Sequence, residues 1–263
     1  MKKTKINGVE LTYRDEGSGK PVVFLHAFPL NQTMWDQQLA ILASGYRVVT
    51  FDWRGFGDSE GSSTASTMPI FADDLAGLLD YLEIKQATIC GLSMGGYAAF
   101  AFHRKYANRA SALILCDTRA TADTDEGKQG RHQMADLARS KGASAIADSM
   151  IPRVLGETTL QSNPAVAKRV RTMIEATNPE AIAQASIGMA QRSDSTDMLL
   201  LIACPTLIIV GEEDKLTPIS DAEKMHQAIV SSRLEVIRQT GHLSNLEQPA
   251  TFNRVISDFL AQL

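Results

Sequence analysis

The sequence has little of what marks several protein classes. Its three cysteines in 263 residues, Cys90, Cys116 and Cys204, are too few and too scattered for a disulfide framework or a Cys/His metal site. No apolar run approaches the ~18 residues of a membrane span. The basic stretch Met1–Lys5 is not followed by an apolar segment of signal-peptide length. The expectation is a cytoplasmic protein with no membrane partner. An excess of basic residues is also missing: 26 Lys and Arg stand against 30 Asp and Glu, a formal charge of −4, which argues against a nucleic-acid binder. Repeats are absent, and low complexity is limited to the short Ser/Thr-rich stretch Gly61–Thr67.

What is present is a regular alternation. Asn7-Gly8 lies inside a roughly alternating segment, Lys5–Arg14, and signals a hairpin. Short apolar runs follow at Val22–Leu25, Tyr46–Phe51, Ala87–Cys90, Ala112–Cys116, Thr206–Val210 and Leu234–Ile237, the composition of strands buried on both faces. Helical patterns separate them. Phe71, Leu75, Leu78, Leu79 and Leu82 share one helix face, Tyr97–Phe102 is apolar all round, and Phe252, Val255, Ile256, Phe259 and Leu260 form the last apolar stripe. Strands alternating with helices predict a doubly wound, mostly parallel α/β sheet with antiparallel strands at one edge. The rhythm fails from Arg119 to Asp197. That interval offers four helix-like stretches, near 129–140, 143–155, 164–176 and 179–191. The division expected is a core of residues 1–118 and 198–263, with residues 119–197 inserted as a helical cap.

The chemistry centres on Gly91-Leu92-Ser93-Met94-Gly95, a G-x-S-x-G between an apolar strand and a buried helix. That is the setting of a nucleophile elbow, in which a turn too tight for neighbouring side chains lifts the serine hydroxyl clear of the backbone. A serine hydroxyl needs a base. Of five histidines, His103, His132 and His226 fall on predicted helices, and His26 suits a structural hydrogen-bonding role. His242 follows Gly241 after the last strand, at the end of the sheet where doubly wound proteins bind ligands. Asp214, after the strand Thr206–Val210, is the candidate acid, with Asp117 as runner-up; Glu212 and Glu213 are expected to face solvent. The backbone N–H groups of Met94 and Phe28 are the candidate oxyanion donors; Pro29, which follows, has none to offer. In Asp52–Ser59, Arg54 and Asp58 are expected to brace loops.

Together, His26-Ala27-Phe28-Pro29, Asp52–Ser59, the elbow, Gly211–Asp214 and Gly241-His242 closely resemble the α/β-hydrolase superfamily, over nearly the whole chain. Within it the sequence is similar to small capped carboxylesterases, 3-oxoadipate enol-lactonases and cofactor-free haloperoxidases. The resemblance implies an eight-stranded sheet with a helical cap, Phe28 and Met94 as oxyanion donors, and no cofactor. One departure is His26-Ala27, where the family has His-Gly. The implied activity is cleavage of a small or medium carboxylic ester or lactone through an acyl-serine. Among cap residues, Met134, Leu137, Met150, Ile151, Met173, Ile174, Ile187 and Met189 are candidates to line its pocket, as are the cations Arg131, Arg153, Lys168, Arg169 and Arg171. Carbon–carbon bond hydrolysis or perhydrolysis by the same three residues stays open, the latter suggested by Pro29. So does a regulatory ligand-binding protein that retains them.

Overall fold

The structure is a computed structural model that describes residues 1–61 and 66–263. Residues 62–65 of the Ser/Thr-rich stretch lie outside the described residues. A hairpin opens the chain: β1 (Lys2–Ile6) and β2 (Val9–Glu16) pair antiparallel around Asn7-Gly8, whose positive φ values of 47° and 85° suit a primed turn. The remaining strands are β3 (Pro21–Leu25), β4 (Arg47–Phe51), β5 (Ala87–Leu92), β6 (Ala110–Cys116), β7 (Thr206–Gly211) and β8 (Ser232–Ile237). They complete an eight-stranded sheet in the order β1-β2-β4-β3-β5-β6-β7-β8, parallel from β4 to β8. The expected sheet, with antiparallel strands at one edge, is present. Residues of β5 and β7 are buried throughout, so their side chains read as continuous apolar runs rather than as alternation.

Helices α1 (Asp36–Leu42), α2 (Met68–Tyr81), α3 (Met94–Tyr106) and α8 (Ile219–Ala228) connect the strands, and α9 (Ser244–Glu247) and α10 (Pro249–Leu260) follow the last one. α2 packs on α3, and α1 on α10. Between β6 and β7 stand four further helices: α4 (Asp125–Val154), α5 (Glu157–Ser162), α6 (Pro164–Glu175) and α7 (Pro179–Ala190). α4 is two helices joined at Gly142, whose φ of 77° and ψ of −178° interrupt it. α6 and α7 begin at the prolines of Asn163-Pro164 and Asn178-Pro179, since proline at the first helical position forfeits only an N–H that has no partner there. α5 has no counterpart in the sequence pattern: its only large aliphatic, Leu160, is 38% exposed, so no apolar stripe marks it.

The order of connection reverses between β3 and β5, where the chain first crosses to one side of the sheet and then to the other. At such a switch point the loops beyond the carboxyl ends of the strands diverge and leave a crevice. The segments after β3, β5, β7 and β8 carry Phe28, Ser93, Asp214 and His242.

Candidate active site

Ser93 is the single residue between β5 and α3, with φ 54° and ψ −112°. For a residue with a Cβ this is a strained conformation, which persists only where the surroundings fix it. They do: Ser93 N–H donates to Cys116 O at 3.0 Å, and its carbonyl accepts from Gly96 N and Thr118 Oγ1, both at 2.9 Å. A Cβ on Gly91 would strike the Gly95 carbonyl, and one on Gly95 would strike the Leu25 carbonyl. The two glycines of the motif are therefore steric requirements.

From this turn the Ser93 hydroxyl meets His242 Nε2 at 2.8 Å, and His242 Nδ1 meets Asp214 Oδ2 at 2.8 Å. Asp214 also accepts from Leu216 N, Thr217 N and Thr217 Oγ1, at 2.8, 3.0 and 2.5 Å. Burial pushes the Asp214 carboxyl up, but His242 and the Thr217 donors outweigh it and hold the group below its ordinary value. A carboxylate so held stays charged, and it faces His242 Nδ1. Asp117, the alternative acid, is fully buried at the end of β6 and bonds elsewhere: it accepts from Gly211 N at 2.8 Å and pairs with Ser244 Oγ at 2.5 Å. Burial first, and the Asp214 charge second, push its carboxyl well above the usual carboxylate range.

Phe28 and Ser93 line one cavity of about 410 Å³, and buried Met94 begins α3 beside them. Among the described residues neither Phe28 nor Met94 gives its backbone N–H to a protein acceptor outside regular structure. The inserted helices close the far wall. Met134, Met150 and Met189 line it; Met173 and Ile174 are buried away from it, and Leu137, Ile151 and Ile187 are not on it either. Of the expected cations, Arg131 and Arg153 line the cavity. Arg169 instead bonds Thr33 O, Arg171 pairs with Asp148 and Glu175, and Lys168 is outside. Arg119 and Lys215 join the lining. Nothing in the sequence pattern marks either as a lining residue beyond its place shortly after a strand end.

The other histidines sit apart from Ser93. His26 Nε2 accepts from Trp53 N at 3.1 Å and its Nδ1 faces Ala27 O at 3.0 Å. His103 is buried, and His226 Nδ1 bonds Ser232 Oγ at 2.8 Å. Arg54 forms a buried two-point pair with Asp74, at 2.7 and 2.6 Å. Glu213, expected in solvent, instead accepts from Thr158 N at 3.0 Å and Thr158 Oγ1 at 2.5 Å, on α5.

The family model that describes the alpha/beta hydrolase fold matches residues 20–249. A 3-oxoadipate enol-lactonase of Acinetobacter baylyi is 32% identical over 259 residues, covering 98% of this chain and 92% of its own. A non-heme chloroperoxidase of Kitasatospora aureofaciens is 28% identical, covering 98% of each chain. Among solved structures, a thermophilic esterase of Thermogutta terrifontis with malate bound is 43% identical. It superposes with a TM-score of 0.97 over all of this chain and 99% of its own.

Proposed function

Since the chain belongs to the alpha/beta hydrolase fold family, we propose that it hydrolyses carboxylic esters or lactones, with Ser93 as nucleophile, His242 as base and Asp214 as the acid that orients the base. The observation that carries this reading is the continuous chain Ser93 Oγ–His242 Nε2, His242 Nδ1–Asp214 Oδ2, at 2.8 Å for each link, beside a cavity of about 410 Å³.

Ser93 Oγ adds to the substrate carbonyl carbon as its proton passes to His242 Nε2. The carbonyl oxygen gains the negative charge and takes hydrogen bonds from Phe28 N–H and Met94 N–H, the latter at a helix start whose dipole favours an anion. Collapse of the tetrahedral species expels the alkoxide, which leaves with the proton held on His242, and an acyl-serine remains. Water, deprotonated by the same nitrogen, adds to the acyl carbon, and the acid departs with Ser93 restored. Asp214 stabilises the imidazolium at both stages without taking its proton. In a lactone the expelled alkoxide stays tethered to the acyl group, so one ring-opened product leaves.

Residues 119–197 are the cap over a core of residues 1–118 and 198–263, and the cap gives the cavity its substrate preference. Three methionines make an adaptable apolar wall. Arg119, Arg131, Arg153 and Lys215 line the wall against Asp123 and Glu126. Although Arg119 also pairs with Asp221 at 3.5 Å, and Asp123 with Arg131 and Arg192 at 3.1 and 2.6 Å, four cations against two carboxylates leave the wall net positive. That charge favours an ester or lactone with a carboxylate of its own, in keeping with the malate named for one relative and the 3-oxoadipate enol-lactone named for another.

The test compares p-nitrophenyl acetate and butyrate, and a monoester of succinate, with wild type and Ser93→Ala. Turnover lost by about a thousandfold or more in the variant supports the assignment; equal rates in both proteins overturn it. Perhydrolysis, suggested by the chloroperoxidase relative, uses the same acyl-serine with peroxide in place of water. A peroxide-dependent bromination assay reads it separately.

A further inference from the structure

The segment that joins α4 to α5 touches the acid loop and the base loop at once. His242 N–H donates to Val154 O at 3.0 Å. The Glu247 carboxylate bridges outward and inward: Oε2 accepts from Gly156 N at 2.8 Å, and Oε1 accepts from Gly241 N at 3.0 Å and Leu243 N at 3.2 Å, the two amides that flank His242. Glu213, next to Asp214, holds Thr158 two residues further along. No Cβ fits at the crossing. One on Gly241 would meet Gly156 N, one on Gly156 would meet Glu213 Oε2 at 2.5 Å, and one on Gly211 would meet the Gly241 carbonyl.

Resting on the assignment of His242 as base, we propose that Glu247 is a positioning residue: its carboxylate fixes the backbone on both sides of His242 against residues 154–156, so the base is in register with Ser93 only when the cap is docked. Glu247 is 7% exposed and takes three backbone N–H groups on two oxygens, a demand that a carboxylate meets and a carboxamide cannot, because the amide NH2 must then face a donor. Releasing either side lets the base loop drift, and small misplacements of a base cost rate rather than binding.

The experiment uses the full chain with Glu247→Gln, and with Glu157→Gln, an exposed carboxylate on the same junction, as control. With the ester that wild type turns over, Glu247→Gln is expected to lower kcat by about 10- to 100-fold with KM within about twofold, while Glu157→Gln is unchanged. The low-field proton resonance of His242 Nδ1–H, read without substrate, is expected to shift or broaden in Glu247→Gln alone. This readout holds even if the substrate assignment fails, whereas loss of Ser93 dependence strikes only that assignment. An unaltered resonance and kcat would overturn the proposal. Should Glu247→Gln not fold, wild-type amide exchange decides: Gly156, Gly241 and Leu243 exchanging together supports it, and Gly156 exchanging far faster than the other two refutes it.

Discussion

His26 is fully buried between Ala27 and Trp53, and burial pushes its imidazole down from 6.5 to about 4. The folded chain therefore keeps His26 neutral where the unfolded chain protonates it. The resulting stability is whole above pH ~6.5 and is lost as pH falls to about 4, roughly 3 kcal/mol in all at ~1.4 kcal/mol per unit. Urea unfolding of wild type at pH 7 and pH 4.5 should show most of that loss, and His26→Gln, which cannot titrate, should flatten that part of the profile. A second residue-scale outcome concerns Arg54, paired with Asp74 at side-chain exposures of 6% and 0%. Arg54→Met strands a buried carboxylate and should cost about 3–5 kcal/mol, whereas Arg54→Met with Asp74→Leu should recover much of it. Ser93 is legible in the sequence from its glycines and its place between strand and helix alone. Glu247 and Glu213 carried no such mark, because their partners Gly156 and Thr158 lie 91 and 55 residues away.

Among the elements, α4 is the most exposed to a single change. Gly142 adopts φ 77° and ψ −178° with no atom within 4 Å of an added Cβ. The cost of Gly142→Ala is thus purely one of backbone conformation, about 1–3 kcal/mol. A thermal melt should register it, with KM for a small ester unchanged, since Gly142 is not on the cavity wall. Element by element, legibility follows burial. β3 to β7 announce themselves as apolar runs, and α6 and α7 by their prolines. Leu234–Ile237 marks β8 in the sequence although only Ile237 is buried, and the strand begins two residues earlier, at Ser232. α5 leaves no trace in the pattern because it has no apolar face of its own and is held at its first turn by Glu213, which accepts from Thr158 N and Thr158 Oγ1.

For the whole molecule, the parallel sheet places the loops that carry Phe28, Ser93, Asp214 and His242 at one end, and residues of α4 and α7 line the cavity there. Neither half of the wall is local. The charges that line the cavity come from the loop after β6, from α4 and from the loop after β7. Sequence pattern marks a cationic residue but not the direction in which it points; that is why Arg131 and Arg153 face the cavity while Arg169 and Arg171 make surface contacts. A positively charged wall predicts a salt effect: kcat/KM for a succinate monoester should fall by several-fold between 50 and 500 mM NaCl, as screening shortens the reach of charge to about 4 Å, while that for a neutral butyrate ester should not. Equal salt responses would remove the charge argument.

The distance along the chain between Ser93 and His242, 149 residues, has a consequence in time. Contacts so far apart in sequence close late, because loop-closure entropy must be overcome before they form. Helices and the β3–β5 pairing can form while Ser93 and His242 are still apart, so a refolding chain should regain its far-ultraviolet signal well before it regains turnover. Enzymatic activity then works as a clock that starts only when the last long-range register has locked, and the lag between the two signals measures how late that is.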